Sequence, residues 1–133
     1  MSEDMNQKGL EIRREVLGQQ YVDDSIQASA DMGFGMPLQE LVNKYCWGEV
    51  WGRPGLSRKT RSMLNIVMLS ALNRPHEIKI HVAAALRHGC SEDEIMEIIL
   101  QITIYCGVPA AMVTHKIARE VIEEHRAQGR ERP

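Results

Sequence analysis

The run from Met63 to Leu72, MLNIVMLSAL, is the strongest constraint in this sequence. It is nearly all apolar and is bounded by Ser57 on one side and Asn73-Arg74-Pro75 on the other. It is far shorter than the roughly 18–20 apolar residues a membrane span needs. Ser57 is placed as an N-cap, so the segment to about Asn73 reads as one long helix. A helix apolar on every side is buried on every side, which puts this one at the centre of the fold.

The flanking segments keep the same helical period. Pro75 suits the first turn of a partner helix that runs to His88, with Gly89 as its stop. The two make an αα-hairpin, 57–73 with 75–88. Ser91-Glu92-Asp93-Glu94 matches a capping box and opens the next helix. Ile95, Ile98, Ile99 and Ile102 form one face of it, and Met96, Leu100 and Ile104 a second. One face can pack on the chain's own core; the second needs a partner and points to a homo-oligomer. Gly107 and Pro109 separate that helix from a last one, Pro109 to about His125.

Upstream, residues 4–17 read as a helix stopped by Gly18. A short helix capped by Asp23 or Asp24 carries Ile26 and Ala30. Gly33, Gly35 and Pro37 mark a loop. A helix from Pro37 to about Gly48 presents Leu38, Leu41, Val42 and Tyr45 as its apolar stripe. The expected fold is all-α, about six helices around the central hairpin. It forms a single domain over 1–133 with polar ends at about 1–4 and 127–133.

Composition excludes several function classes. A chain of 133 residues with 44% apolar and 26% charged residues fits a globular domain, not a disordered one. A net charge of −2 excludes a strongly basic nucleic-acid binder. The polar start MSEDMNQKGLEIRR lacks the apolar stretch of a signal peptide, so a cytoplasmic location is expected, with no membrane role. Cys46, Cys90 and Cys106 are odd in number, widely spaced and without a CxxC, which favours free thiols over a disulfide framework. No His or Cys pair has zinc-site spacing, and no metal is expected.

Charge is unevenly spread. No Asp or Glu lies between Glu49 and Glu77, while Arg53, Arg58, Lys59, Arg61 and Arg74 do. That stretch carries +5 and the rest of the chain −7. Such a patch before a buried helix suits a small anionic molecule, since the Arg fork matches carboxylates; a solvated basic loop is the plainer alternative. Trp47-Gly48-Glu49-Val50-Trp51-Gly52-Arg53 holds both Trp residues, either as a pocket wall or as core edge. His81, flanked by Ile78, Ile80 and Val82, is either a structural residue or a general acid or base of lowered pKa. His88 reads as a helix C-terminal cap, His76 and His125 as surface, and His115 faces either way.

YCWGEVWGRPGLSRKTRSMLNIVMLSALNR followed by IKIHVAAALRHGCSEDEIMEIILQITIYCGVPAA resembles the carboxymuconolactone decarboxylase family, in the branch serving protocatechuate breakdown. The resemblance covers roughly Ile12 to Glu123. It implies an all-helical, AhpD-like fold and a ring-shaped homo-oligomer, commonly a hexamer. A redox branch of the family carries Glu, CxxC and His on the central hairpin. An ungapped match puts these at Ser62, Arg74, Glu77 and His81, so only the His is retained. Without paired thiols no dithiol cycle can run, and His81 is left with acid–base work.

The reaction implied is loss of CO2 from 4-carboxymuconolactone to give 3-oxoadipate enol-lactone. The leaving carboxylate is conjugated through a double bond to the lactone carbonyl, so the substrate is its own electron sink and no cofactor is expected. The resemblance then implies roles. Arg53, Arg58 and Arg61 grip carboxylate and stabilise charge. His81 delivers the proton, Glu49 orients His81 or an Arg, and Trp51 lines the ring pocket. Arg58, in an exposed first turn, is the Arg most easily spared. The run MVTHKIARE departs from relatives and makes His115 a second candidate. Alternatives are a same-fold enzyme for another lactone or keto acid, and a non-catalytic oligomeric relative.

Overall fold

A computed structural model describes residues 3–131, all in helices and the turns between them. Seven α-helices are seen among the described residues: α1 (Glu3–Leu17), α2 (Gln19–Met32), α3 (Met36–Leu41), α4 (Arg58–Ala71), α5 (Pro75–Arg87), α6 (Glu92–Cys106) and α7 (Val108–Glu131). A π-helical segment, Val42–Val50, follows α3. The chain divides into two compact units, one up to Ser57 and one from Arg58 onward.

The second unit is built on the expected hairpin, α4 against α5, closed by α6 and α7. Its core holds Ile66, Ile78, Val82, Ile95 and Ile102, each fully buried. The capping box at the start of α6 forms as read. The Glu94 N–H donates to Ser91 Oγ at 3.0 Å, and the Ser91 N–H donates to Glu94 Oε1 at 3.0 Å. Ile95, Ile98, Ile99 and Ile102 face the core while Met96, Leu100 and Ile104 lie exposed, which is the two-faced pattern the sequence predicts.

The central helix differs from expectation. In α4 the buried positions are Ser62, Ile66 and Ser70, a single i, i+4, i+8 stripe. Leu64, Met68 and Leu72 are 47%, 52% and 61% exposed. A unit of only four helices can cover one side of α4, so the opposite side becomes an apolar surface. Ser70 sits on the buried stripe because its hydroxyl is satisfied twice. It donates to the Ile66 carbonyl at 2.6 Å and shares a second 2.6 Å bond with Thr114 Oγ1 of α7. The last helix also departs: α7 runs to Glu131 instead of ending near His125. Arg126 pairs with Glu92 at the start of α6, tying down the turn expected to be tail. Positions 1, 2, 132 and 133 of the expected polar ends lie outside the described residues.

The first unit shows three further departures. α2 begins at Gln19, directly after Gly18, instead of at Asp23 or Asp24. Asp23 is engaged elsewhere, by the Arg14 guanidinium at 2.8 Å. The helix after Pro37 changes at Val42 into the π form, seen in the Trp51 N–H bond to the Cys46 carbonyl at 3.0 Å. The wider i→i+5 turn re-aims the side chains. Asn43, Trp47 and Gly48 are buried; of the expected stripe, Leu38, Leu41 and Tyr45 are exposed and Val42 is half-buried. The buried face packs on α1. There Arg13, itself buried, donates through Nη1 to Gln39 Oε1 at 2.8 Å and to Asn43 Oδ1 at 3.0 Å.

Two glycines make that packing possible. A Cβ on Gly9 would stand 1.7 Å from the Asn43 carbonyl oxygen, and one on Gly48 would stand 2.7 Å from Met5 Sδ. Gly9 is in mid-helix, where Ala is ordinarily better by about 1 kcal/mol. Close backbone approach reverses that sign here. Gly9→Ala is therefore expected to lower the urea midpoint, by an amount equivalent to about 1–3 kcal/mol or more of overpacking. A raised midpoint would mean that α1 does not pack this tightly.

Candidate active site

The second unit places His81 in the middle of α5, 8% exposed, with Ile78, Val82, Ala84 and Ala85 buried around it on the same helix. Its Nε2 lies 3.4 Å from the Asn65 amide nitrogen of α4. The tautomer of the ring sets which of the two groups donates. Burial pushes the His81 pKa from 6.5 down to about 4, and the negative charge of Glu77, one turn earlier on α5, opposes that shift. The ring is thus neutral at neutral pH. Glu77, itself exposed, is the carboxylate whose field reaches it.

Asn65 does not stand by itself on α4. Arg58, Arg61 and Asn65 follow i, i+3, i+7 spacing and share one side of the helix. Both Arg residues are half-buried, so Arg58 is less exposed than its first-turn position implied. Lys59 points to α6 and forms a 3.0 Å ion pair with Glu94. Arg74 turns back on the end of its own hairpin and donates to the Leu72 carbonyl at 2.7 Å. Four of the five cations of the acid-free stretch are therefore sorted. Two serve structural contacts, and Arg58 and Arg61 line up with the residue that touches His81.

The other three candidates belong to the first unit. Glu49 is the exposed penultimate residue of the π-helical segment. Trp51 follows it, buried and packed on Trp47, with ring centroids 4.7 Å apart and planes tilted by 33°. Arg53 is exposed in the loop beyond, its N–H bonded to the Val50 carbonyl at 3.1 Å. The Trp pair thus satisfies the core-edge reading of those residues. His115 is half-buried in a groove between α6 and α7, beside Met96, Ile99, Arg119 and Arg126, and no residue of α4 or α5 lines that groove.

Asn65 is the residue that the sequence reading passed over. Its signal was present: it is an amide inside MLNIVMLSAL, one turn beyond Arg61. Read as part of an apolar run, it drew no attention, and only the packing of α5 shows what it meets.

The depressed pKa has a consequence for stability. Between pH 6.5 and about 4 the unfolded chain binds a proton at His81 that the folded chain does not. The contribution of neutral His81 is therefore complete above pH 6.5 and is lost as pH falls toward 4. The difference is on the order of 3 kcal/mol. His81→Asn is expected to flatten the decline of urea midpoint across this window relative to the parent chain. Parallel pH curves for the two would show that the ring protonates freely in the fold.

The model of the carboxymuconolactone decarboxylase family matches residues 37–120. Over 117 residues the chain is 40% identical to a 4-carboxymuconolactone decarboxylase of Acinetobacter baylyi, covering 88% of this chain and 86% of that protein. It is 35% identical over 121 residues to a nitrosuccinic acid decarboxylase of Metarhizium robertsii, covering 88% and 83%. The family model spans more than half of the chain, and both relatives are covered over most of their length: this chain is a member of the carboxymuconolactone decarboxylase family.

Proposed function

We propose that this protein is a 4-carboxymuconolactone decarboxylase that works without a cofactor, in the breakdown of protocatechuate-type aromatic acids. The observation that carries this reading is the buried neutral His81 at the end of the Arg58–Arg61–Asn65 row, in a chain 40% identical to such an enzyme.

The chemistry demands little else. Breaking the bond to the carboxylate sends an electron pair through the ring double bond into the lactone carbonyl, forming a dienolate and CO2. Arg58 and Arg61 supply positive charge for the substrate carboxylates and for the developing oxyanion. The dienolate then takes a proton on carbon from His81, and solvent restores that proton, so each turnover consumes one proton.

A ring with a pKa of about 4 is rarely protonated at pH 7 in the empty site. An anionic substrate beside it raises that pKa, because an opposite charge within ~4–6 Å favours the charged form. Acid strength is thereby held back until substrate is bound. Burial also disfavours a carboxylate relative to neutral CO2.

The exposed apolar rows Met96–Leu100–Ile104 and Leu64–Met68–Leu72 support assembly into a homo-oligomeric ring, with a hexamer as the expected state. The cytoplasm is the expected location. A second reading is favoured by the relative that acts on nitrosuccinic acid. A nitro group is also an electron sink next to a carboxylate, so the same residues would serve.

The deciding experiment is ultraviolet-monitored turnover of freshly generated 4-carboxymuconolactone, with chelator present, beside nitrosuccinate. Fast lactone loss by the parent chain, and a fall of about 10²-fold or more in His81→Ala, is the expected result. Arg61→Ala is expected to lower kcat. Turnover of nitrosuccinate alone would transfer the assignment to the second reading. Equal rates for parent and His81→Ala would remove His81 from the chemistry.

A further inference from the structure

Arg13 is a buried cation without an anion. It lies on α1 in the first unit and is 8% exposed. A guanidinium keeps its charge in a protein interior, so burial cannot be relieved by losing the proton. A buried charge is met by an opposite charge, or its desolvation goes uncompensated. Among the described residues Arg13 meets no Asp or Glu. Its hydrogen bonds go to the side-chain amide oxygens of Gln39 and Asn43. Burial pushes its pKa down, and the groups whose charge opposes that shift are the Tyr21 phenol and the Cys46 thiol. Neither type of group ordinarily carries charge at neutral pH.

The fork of Arg13 is half used. Both bonds leave from Nη1. Nε, on the other side, is buried and has no partner among the described residues. Nε–H and the neighbouring Nη2–H point the same way, at the spacing of two carboxylate oxygens. The used side is held from behind. Gln39 donates through Nε2 to Ser25 Oγ and to Ser29 Oγ, each at 3.3 Å, and Asn43 donates through Nδ2 to Asn6 Oδ1 at 3.1 Å. Both amides are thereby turned with their oxygens toward Arg13, and the open side is fixed before any ligand arrives. Bridging these helices does not require a cation. A neutral amide side chain would donate to the same oxygens without a desolvated charge. Tyr21 and Cys46, both exposed, lie within electrostatic reach of the guanidinium, so solvent is close.

We propose that the open Nε–Nη2 side of Arg13 binds a small carboxylate, at a site built from the first unit alone. One carboxylate oxygen accepts from Nε–H and the other from Nη2–H, and no covalent step is involved. The site does not depend on the decarboxylase reading, although the substrate and product of that reaction also carry carboxylates.

The probe is acetate, titrated into the full-length, nitrogen-15-labelled protein at constant ionic strength, with chloride as the balancing ion. The Nε–H signal of Arg13 is identified by its loss in Arg13→Lys. In the parent chain this signal is expected to move downfield and saturate, as a bond forms where none existed. Acetate is also expected to raise the urea midpoint of the parent, the folding equilibrium gaining about tenfold at roughly ten times the dissociation constant. Arg13→Lys, which keeps the charge but has no fork, is expected to gain nothing. Arg13→Gln serves for the same comparison if the Lys variant fails to fold. An Nε–H signal that stays in place, or that drifts without saturating, would overturn the proposal. So would an equal saturable response to bromide, which marks a general anion site with no use for the fork. A signal already downfield without acetate, and returning upfield on dilution, would show a second copy of the chain filling the site and would overturn it as well.

Discussion

Exclusion of water from one imidazole organises the second unit. His81 sits in an α5 segment whose other inward residues, Ile78, Val82, Ala84 and Ala85, offer it no hydrogen-bonding side chain. A charged ring in that setting is unfavourable, so the fold holds it neutral, at a cost to stability as pH falls. The arrangement persists because the hairpin around it is over-determined. Ile66 of α4 is fully buried, and Ser70 locks the same helix to Thr114 of α7. Neither contact touches His81, yet both keep α4 where Asn65 meets the ring.

The same economy appears in the charges. A stretch without a single carboxylate cannot neutralise itself locally, so its cations find partners elsewhere or face a ligand. Lys59 finds Glu94, which also closes the capping box of α6. Arg74 finds the carbonyls at the end of α4. Arg58 and Arg61 stay on the side of α4 that leads to Asn65. Helical spacing alone therefore gathers two of these cations into one row.

Much of this was legible in the residues. The hairpin, the Ser91 capping box and the two-faced α6 follow from local signals: a Pro in a first turn, a Ser three residues before a Glu, apolar side chains at i, i+3 and i+4. The retained His81 and the acid-free stretch marked candidate chemistry. Tyr45 leaves the expected stripe because the period changes at Val42, whereas Leu38 and Leu41 lie exposed on α3 itself. A π turn leaves no signature in composition, and here it is favoured by close contact at Gly9 and Gly48. The all-round burial of α4 was misread because hydrophobicity reports that a surface must be covered without saying by what.

The sequence by itself determined the all-helical class, most element boundaries, the family and the pool of cationic and imidazole candidates, because these depend on interactions within a few residues. Only the tertiary structure decided which candidates meet. It paired Lys59 with Glu94 and brought Asn65 to the Nε2 of His81. Those outcomes rest on contacts between helices, where side chains 16 residues apart in the chain, such as Asn65 and His81, become neighbours. Burial, and with it the depressed pKa, exists only once that packing has removed the water.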